Sequence, residues 1–288
     1  MPVIAIVNPK GGSGKSTLAT HLAGHAASLG LSVMLGDVDR QKSTVLWLRR
    51  RALEPIARRA PIVSWIADPQ KLLRPPAGVT HVVLDTPGGL RGFDLARVVM
   101  SADAVLMPVC DSAFDRDAAA QAWNEISTLP RVASGRCRVA VVGMRIDART
   151  HAEATLRAWS EVIGAPFLGV LRNTQAYVRC IERGLTVFDL PPGRAQADRD
   201  QWAPILDWLD PVWLSQELAT PSQAAALAEV AQPPRAAAVK VQPRKTARPP
   251  VHEELASALR PADAAPPGLF RRWLGIGAWP WHRGAAAR

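Results

Sequence analysis

Short apolar runs separated by longer segments of mixed polarity set the pattern of this chain. The first, Val3-Ile4-Ala5-Ile6-Val7, meets a glycine-rich break and then a run of helix formers, Leu18-Ala19-Thr20-His21-Leu22-Ala23. Similar runs at 32–36, 81–85, 104–109, 138–143 and 167–171 read as strands alongside 3–7, and stretches such as 15–29, 116–128 and 151–163 read as helices between them. Strands that are apolar on both faces need cover on both faces. The alternation therefore predicts an α/β fold: a mostly parallel sheet with helices on both sides. Ligands of such sheets sit beyond the carboxyl ends of the strands, which is where the chemistry is to be sought.

The break after the first strand is Lys10-Gly11-Gly12-Ser13-Gly14-Lys15-Ser16-Thr17. Glycines there let the backbone take positive φ and turn its N–H groups toward phosphate oxygens. A helix starting near Gly14-Lys15 aims its positive end at the same place. Gly11, Gly12, Ser13, Gly14, Lys15, Ser16 and Thr17 thus form a phosphate-binding loop, with Lys15 reaching the β- and γ-phosphates and the Ser16 hydroxyl ligating Mg²⁺. Two further strands end in carboxylates: Val33-Met34-Leu35-Gly36-Asp37-Val38-Asp39-Arg40-Gln41 and His81-Val82-Val83-Leu84-Asp85-Thr86-Pro87-Gly88-Gly89.

Lys10 narrows the reading. Lys-Gly-Gly-x-Gly-Lys-[Ser/Thr] resembles the deviant Walker A loop of the ParA/MinD ATPases, and the resemblance runs over about residues 1 to 210. It implies a P-loop NTPase-type fold, ATP and Mg²⁺ as cofactors, and a homodimer with ATP between the subunits. In that arrangement Lys10 touches the partner's nucleotide, where a second cation disperses charge as the γ-phosphoryl leaves. Asp37 to Gln41 is similar to the family's Asp-x-Asp-Pro-Gln segment, which implies that Asp39 orients the attacking water and Asp37 supports the metal site. Arg40 stands where the family has proline. The segment ending in Asp85 resembles Walker B: Asp85 would hold Mg²⁺ through water, and Thr86 to Gly89 would sense the γ-phosphate. Ala104 to Asp115 and Leu171 to Leu190 also resemble family segments. Val142-Gly143-Met144-Arg145 departs from the pattern, standing where many relatives carry an asparagine that reads the adenine edge. Through the resemblance, Arg172, Arg179 and Arg183 are candidates for nonspecific DNA contact, with Arg49, Arg50 and Arg51 as an addition.

Composition changes the picture in two places. Cys110, Cys137 and Cys180 are odd in number and far apart, with no Cys-x-x-Cys pair. That fits reduced thiols in a cytoplasmic protein and disfavours relatives that hold an iron–sulfur cluster. No targeting segment or transmembrane run is expected. The chain carries a net charge of +10, and residues 216 to 288 supply half of it, with 10 Lys+Arg against 5 Asp+Glu, together with 10 of the 25 prolines. The domain reading is therefore an ATPase domain over 1–214, a disordered, basic Pro/Ala-rich linker over 215–267, and a short amphipathic C-terminal segment over 268–288. In that last segment Leu269, Phe270, Trp273 and Leu274 fall on one side and Arg271 and Arg272 on the other. Such a segment over 268–281 suits a membrane surface, a groove on a partner, or an apolar patch of its own domain.

Three functional readings follow. The first is a ParA-like ATPase that positions or partitions a cargo, such as a plasmid, chromosome region or protein complex, by cycling on the nucleoid with a ParB-like or other activating partner. The second is a MinD-like ATPase that cycles on the membrane through the C-terminal segment. The third is an ATP-switched regulatory subunit of a secretion or polysaccharide synthase system.

Overall fold

The computed structural model describes residues 1–39, 41–66, 77–191 and 193–213. Arg40, the expected linker 215–267 and the segment 268–288 lie outside the described residues. In chain order the elements are β1 (Val3–Ile6), α1 (Lys15–Ser28), β2 (Val33–Asp37), α2 (Ser43–Arg51), α3 (Ile56–Arg59), β3 (Ile62–Ile66), β4 (His81–Asp85) and α4 (Gly92–Ser101). There follow β5 (Ala104–Val109), α5 (Ala113–Ser127), α6 (Pro130–Ala133), β6 (Arg138–Ile146), α7 (Ala152–Ile163), β7 (Phe167–Arg172), α8 (Gln175–Arg183), a 3-10 turn at Val187–Asp189, α9 (Gln196–Asp200) and α10 (Ala203–Trp213).

The strands form one sheet in the order β3-β2-β4-β1-β5-β6-β7, and all six pairings are parallel. The expected fold class is the observed one. Alternate residues of β1 feed two separate cores, as the two-residue period of a strand requires. Ile4 and Ile6 pack with Leu18 and Leu22 of α1, Trp47 of α2, and Ile205 and Leu209 of α10. Val3, Ala5 and Val7 pack with Leu95 and Val98 of α4, Ala119 and Ile126 of α5, and Leu156 of α7.

Register, more than any single contact, positions the site. Asp85 on β4 pairs with Ile6 on one side and with Asp37 on the other, so two carboxylates and the exit of β1 come level at one end of the sheet. Two differences from the sequence reading have physical reasons. β3 has no counterpart among the expected strands: it is an edge strand whose residues stay half-buried or exposed, so its apolar signal is diluted. β6 runs on to Ile146, three residues past the expected end, and its pairing with β7 shifts register twice, between Val141 and Gly143 and between Met144 and Ile146.

Beneath α1 lies a buried aromatic cluster. His21, fully buried, stacks on Trp202 at 5.6 Å between centroids and meets Tyr177 edge-on at 5.1 Å, while the Trp202 indole N–H donates to the Tyr177 hydroxyl (3.0 Å). The Nδ1–H of His21 donates to the Thr17 carbonyl (2.9 Å). Burial pushes the His21 pKa down to about 4, against the opposing pull of that carbonyl. An unfolded histidine takes up a proton below about 6.5, so His21 contributes its full stability above that pH and loses it progressively down to about 4. His25, also shifted down by burial, acts in the same sense. Denaturant unfolding at pH 7.5, 6.5, 5.5 and 4.5 should therefore carry a His21 contribution of up to about 3 kcal/mol lost toward acid, set against the opposite change from Asp85, whose pKa burial pushes up to about 7. His21→Phe should lack that contribution, so its stability relative to wild type should rise by up to that amount between pH 7.5 and 4.5. A difference from wild type that stays constant with pH would assign the acid sensitivity elsewhere.

Candidate nucleotide site

The loop after β1 is fixed at both ends by backbone and amide contacts. Asn8, fully buried, donates from Nδ2 to the Pro108 carbonyl (2.6 Å) and accepts at Oδ1 from the Lys10 N–H (2.7 Å). Gly12 and Gly14 take φ of 78° and 95°, the left-handed region that only glycine occupies without cost. Gly14 is the N-cap of the 14-residue α1, and no side chain caps that helix, so its first N–H groups face the loop. The loop after β4 presses directly against this one. A Cβ on Gly88 would stand 3.2 Å from the Gly11 N and Cα, and the Gly89 N–H donates to the Pro9 carbonyl (2.5 Å).

Charge is concentrated around this backbone cradle. Lys15 is buried, and its ammonium donates to the Lys10 carbonyl across the loop (2.8 Å). Burial pushes the Lys15 pKa down, opposed by Asp85 and Asp39. Asp85 is 1% exposed, and neither of its carboxylate oxygens has a hydrogen-bond partner among the described residues. Ser16 lies beside it and favours its ionised form without an aligned bond, while burial first, and then Asp37 and Asp39, push the Asp85 pKa up to about 7. A buried, unpartnered carboxylate beside a serine hydroxyl is a donor set that fits hydrated Mg²⁺, a hard cation that keeps several waters. Ser16 and Asp85 would hold Mg²⁺ there, and it would supply charge neutralisation for phosphate.

Asp37 is differently employed. Its Oδ1 accepts from the Asp39 N–H (3.0 Å), and its Oδ2 from the Thr44 N–H (3.0 Å), the Thr44 hydroxyl (2.6 Å) and the Val45 N–H (3.3 Å). It thereby caps α2, which begins after Lys42 in a left-handed conformation, and acts on Asp85 through charge. Asp39 accepts at Oδ1 from the Gln41 N–H (3.0 Å). With Gly11, Gly12, Gly14, Lys15, Ser16, Thr17, Gly88 and Gly89, it lines a cleft of about 540 Å³. Ser13 is buried in the loop, where its hydroxyl donates to the Lys10 carbonyl (3.3 Å).

Lys10 stands at the rim. Its ammonium pairs with Asp115 (3.4 Å) and lies 5.7 Å from the ring centre of the exposed Phe114. Asp115 in turn accepts from the Ser112 hydroxyl (2.5 Å) at the start of α5. The arginines singled out for DNA are not equivalent. The Arg172 guanidinium is held by Asp198 (2.6 Å) and that of Arg183 by Glu54 (2.9 Å). Arg179 is exposed and free of any ion pair among the described residues, as are Arg49 and Arg50, whereas Arg51 is buried in an ion pair with Asp189 (2.8 Å).

Residues 4–187 match the family model described as the CobQ/CobB/MinD/ParA nucleotide binding domain. The chain belongs to this family. It is 30% identical over 219 residues to a "Maintenance of carboxysome distribution protein A" from Gloeobacter kilaueensis, covering 73% of this chain and 95% of that one. Among solved structures it resembles the ATP complex of a McdA variant from Cyanothece, with a TM-score of 0.57, 14% identity and coverage of 73% and 95%. It also resembles the MinD cell division protein of Aquifex aeolicus, with a TM-score of 0.56, 20% identity and coverage of 72% and 97%. As a member of the MinD/ParA family the chain carries a nucleotide-binding domain.

Sequence reasoning found the loop and the strand-end carboxylates because each is a contiguous motif. It named Gln41 and Arg145 only within longer family segments and assigned them no place in the cleft lining, and it did not mark Ser43. The role of Asp85 is open to a direct check. Asp85→Asn should leave the nucleotide-free protein at least as stable as wild type at pH 8, because a buried unpartnered charge has been removed. It should also abolish the additional thermal stabilisation that Mg²⁺ gives in the presence of ADP. Retention of the full Mg²⁺ response would take the metal away from Asp85.

Proposed function

We propose that this protein is an ATP-dependent dimerising ATPase that positions a cargo, using nonspecific DNA as its track in the cytoplasm. The observation that carries the reading is Lys10: a lysine at the rim of the phosphate loop, outside the cleft that Lys15 already serves. In this reading Lys15 binds the β- and γ-phosphates of its own nucleotide, and Ser16 and Asp85 hold Mg²⁺. Asp37 supports the site through α2 and its charge, and Asp39 orients the attacking water. Lys10 leaves Asp115 to meet the partner's nucleotide, so two half-sites complete each other. Kinship with proteins named for carboxysome distribution supports a protein complex as the cargo class, and hydrolysis in this reading is triggered by a separate activating protein.

DNA contact falls to the exposed arginines. Arg179, with Arg49 and Arg50, offers free guanidinium groups, and Arg172 and Arg183 join only by exchanging Asp198 and Glu54 for phosphate. Such contact is electrostatic and weakens steeply with salt.

One experiment tests the reading. Light scattering on the full chain with a slowly hydrolysed ATP analogue and Mg²⁺ should show a dimer, and that dimer should retain random-sequence duplex DNA in a salt-dependent way. Lys10→Ala should bind nucleotide within about threefold of wild type yet remain monomeric and release the DNA, as expected of a group that acts across an interface. A Lys10→Ala protein that dimerises like wild type would overturn the reading.

A further inference from the structure

Among the described residues of the cleft lining, the end of β6 holds the cation that the reading above leaves without a role. Where the β6–β7 pairing shifts register between Met144 and Ile146, Arg145 takes φ of 57°. A residue with a Cβ pays on the order of 1 kcal/mol or more for that left-handed conformation. Irregularities of this kind re-aim a side chain out of the strand's alternation. Its neighbour Met144 is wedged against the phosphate loop, with its Cε 2.7 Å from where a Cβ on Gly14 would stand. Arg145 itself is exposed, lines the cleft, and has no hydrogen-bond or ion-pair partner among the described residues.

The strand order gives the cleft a direction. Asp39 follows β2 and Asp85 ends β4, on one side of β1, while Arg145 lies one residue before the end of β6, two strands away on the other side. A nucleotide whose terminal phosphate meets the carboxylates therefore runs its nucleoside end toward β6; this step rests on the nucleotide reading of the cleft. We propose that Arg145 holds the nucleoside end of the bound nucleotide by laying its guanidinium plane on the face of the purine base. A guanidinium stacks on any purine, and its donors-only edge cannot pair with the adenine amino group. The contact therefore adds affinity for adenine and guanine nucleotides alike.

Calorimetric titration of the full chain with ADP, GDP and inorganic tripolyphosphate, in the presence of Mg²⁺, tests this. Arg145→Ala should weaken ADP and GDP by a similar factor of about tenfold, the scale of one lost base stack, and leave tripolyphosphate unchanged. Arg145→Gly should show the same loss while keeping the fold, since glycine accepts φ of 57°. Arg145→Lys, which keeps the charge and loses the plane, should behave like the alanine variant. Unchanged ADP affinity in Arg145→Ala overturns the proposal. So does an equal loss for tripolyphosphate, which would make Arg145 a phosphate contact, or a loss for ADP alone, which would make it an edge reader. A wild-type chain that binds none of the three ligands would instead sink the nucleotide reading itself.

Discussion

A carboxylate with no hydrogen-bond donor among the described residues, buried at the end of a central strand, is the constraint around which this site is arranged. Left alone, Asp85 raises the free energy of the fold, because desolvation of its charge is offset only in part by Ser16 and Lys15. The parallel register makes the position unavoidable: Ile6 and Asp37 flank Asp85 level with it, so the loop after β1 and the cap of α2 both converge on that carboxylate. The close approach of Gly88 to Gly11 sets the loop behind Asp85 directly against the phosphate loop.

The same arrangement reaches beyond the cleft through α2. Its first turn is capped by Asp37, and its last residue, Arg51, is buried in an ion pair with Asp189 and donates to the Gly184 carbonyl (3.2 Å). Gly184 has no room for a side chain, since a Cβ there would stand 2.1 Å from the Arg51 nitrogen. Glu54, just past α2, holds Arg183 at the end of α8. One short helix thus spans the distance between a strand-end carboxylate and the surface that carries Arg179. Buried pairs of this kind specify geometry more surely than they add stability.

The sheet and the phosphate loop were legible because each is written in consecutive residues. Buried parallel strands are continuous apolar runs, and Lys10 to Thr17 is a contiguous loop in which Gly12 and Gly14 are required by their φ angles. What escaped was set by partners distant in sequence. β3 is an edge strand with a weak apolar signal, and the extension of β6 depends on its pairing with β7. Arg172 and Arg183 look like free surface charges in the sequence, yet Asp198 and Glu54, far along the chain, hold them. Arg145 enters the cleft through a backbone conformation that no residue type announces.

Lys10 carries the central claim, that the site is completed by a second copy of the chain. A crystal structure of the Asp39→Ala variant with ATP and Mg²⁺ measures this most directly. The account predicts two subunits facing across their nucleotides, with each Lys10 ammonium moved off its own Asp115 and onto the partner's phosphate oxygens. A nucleotide-filled monomer with Lys10 still paired to Asp115, as it is at 3.4 Å here, would contradict it.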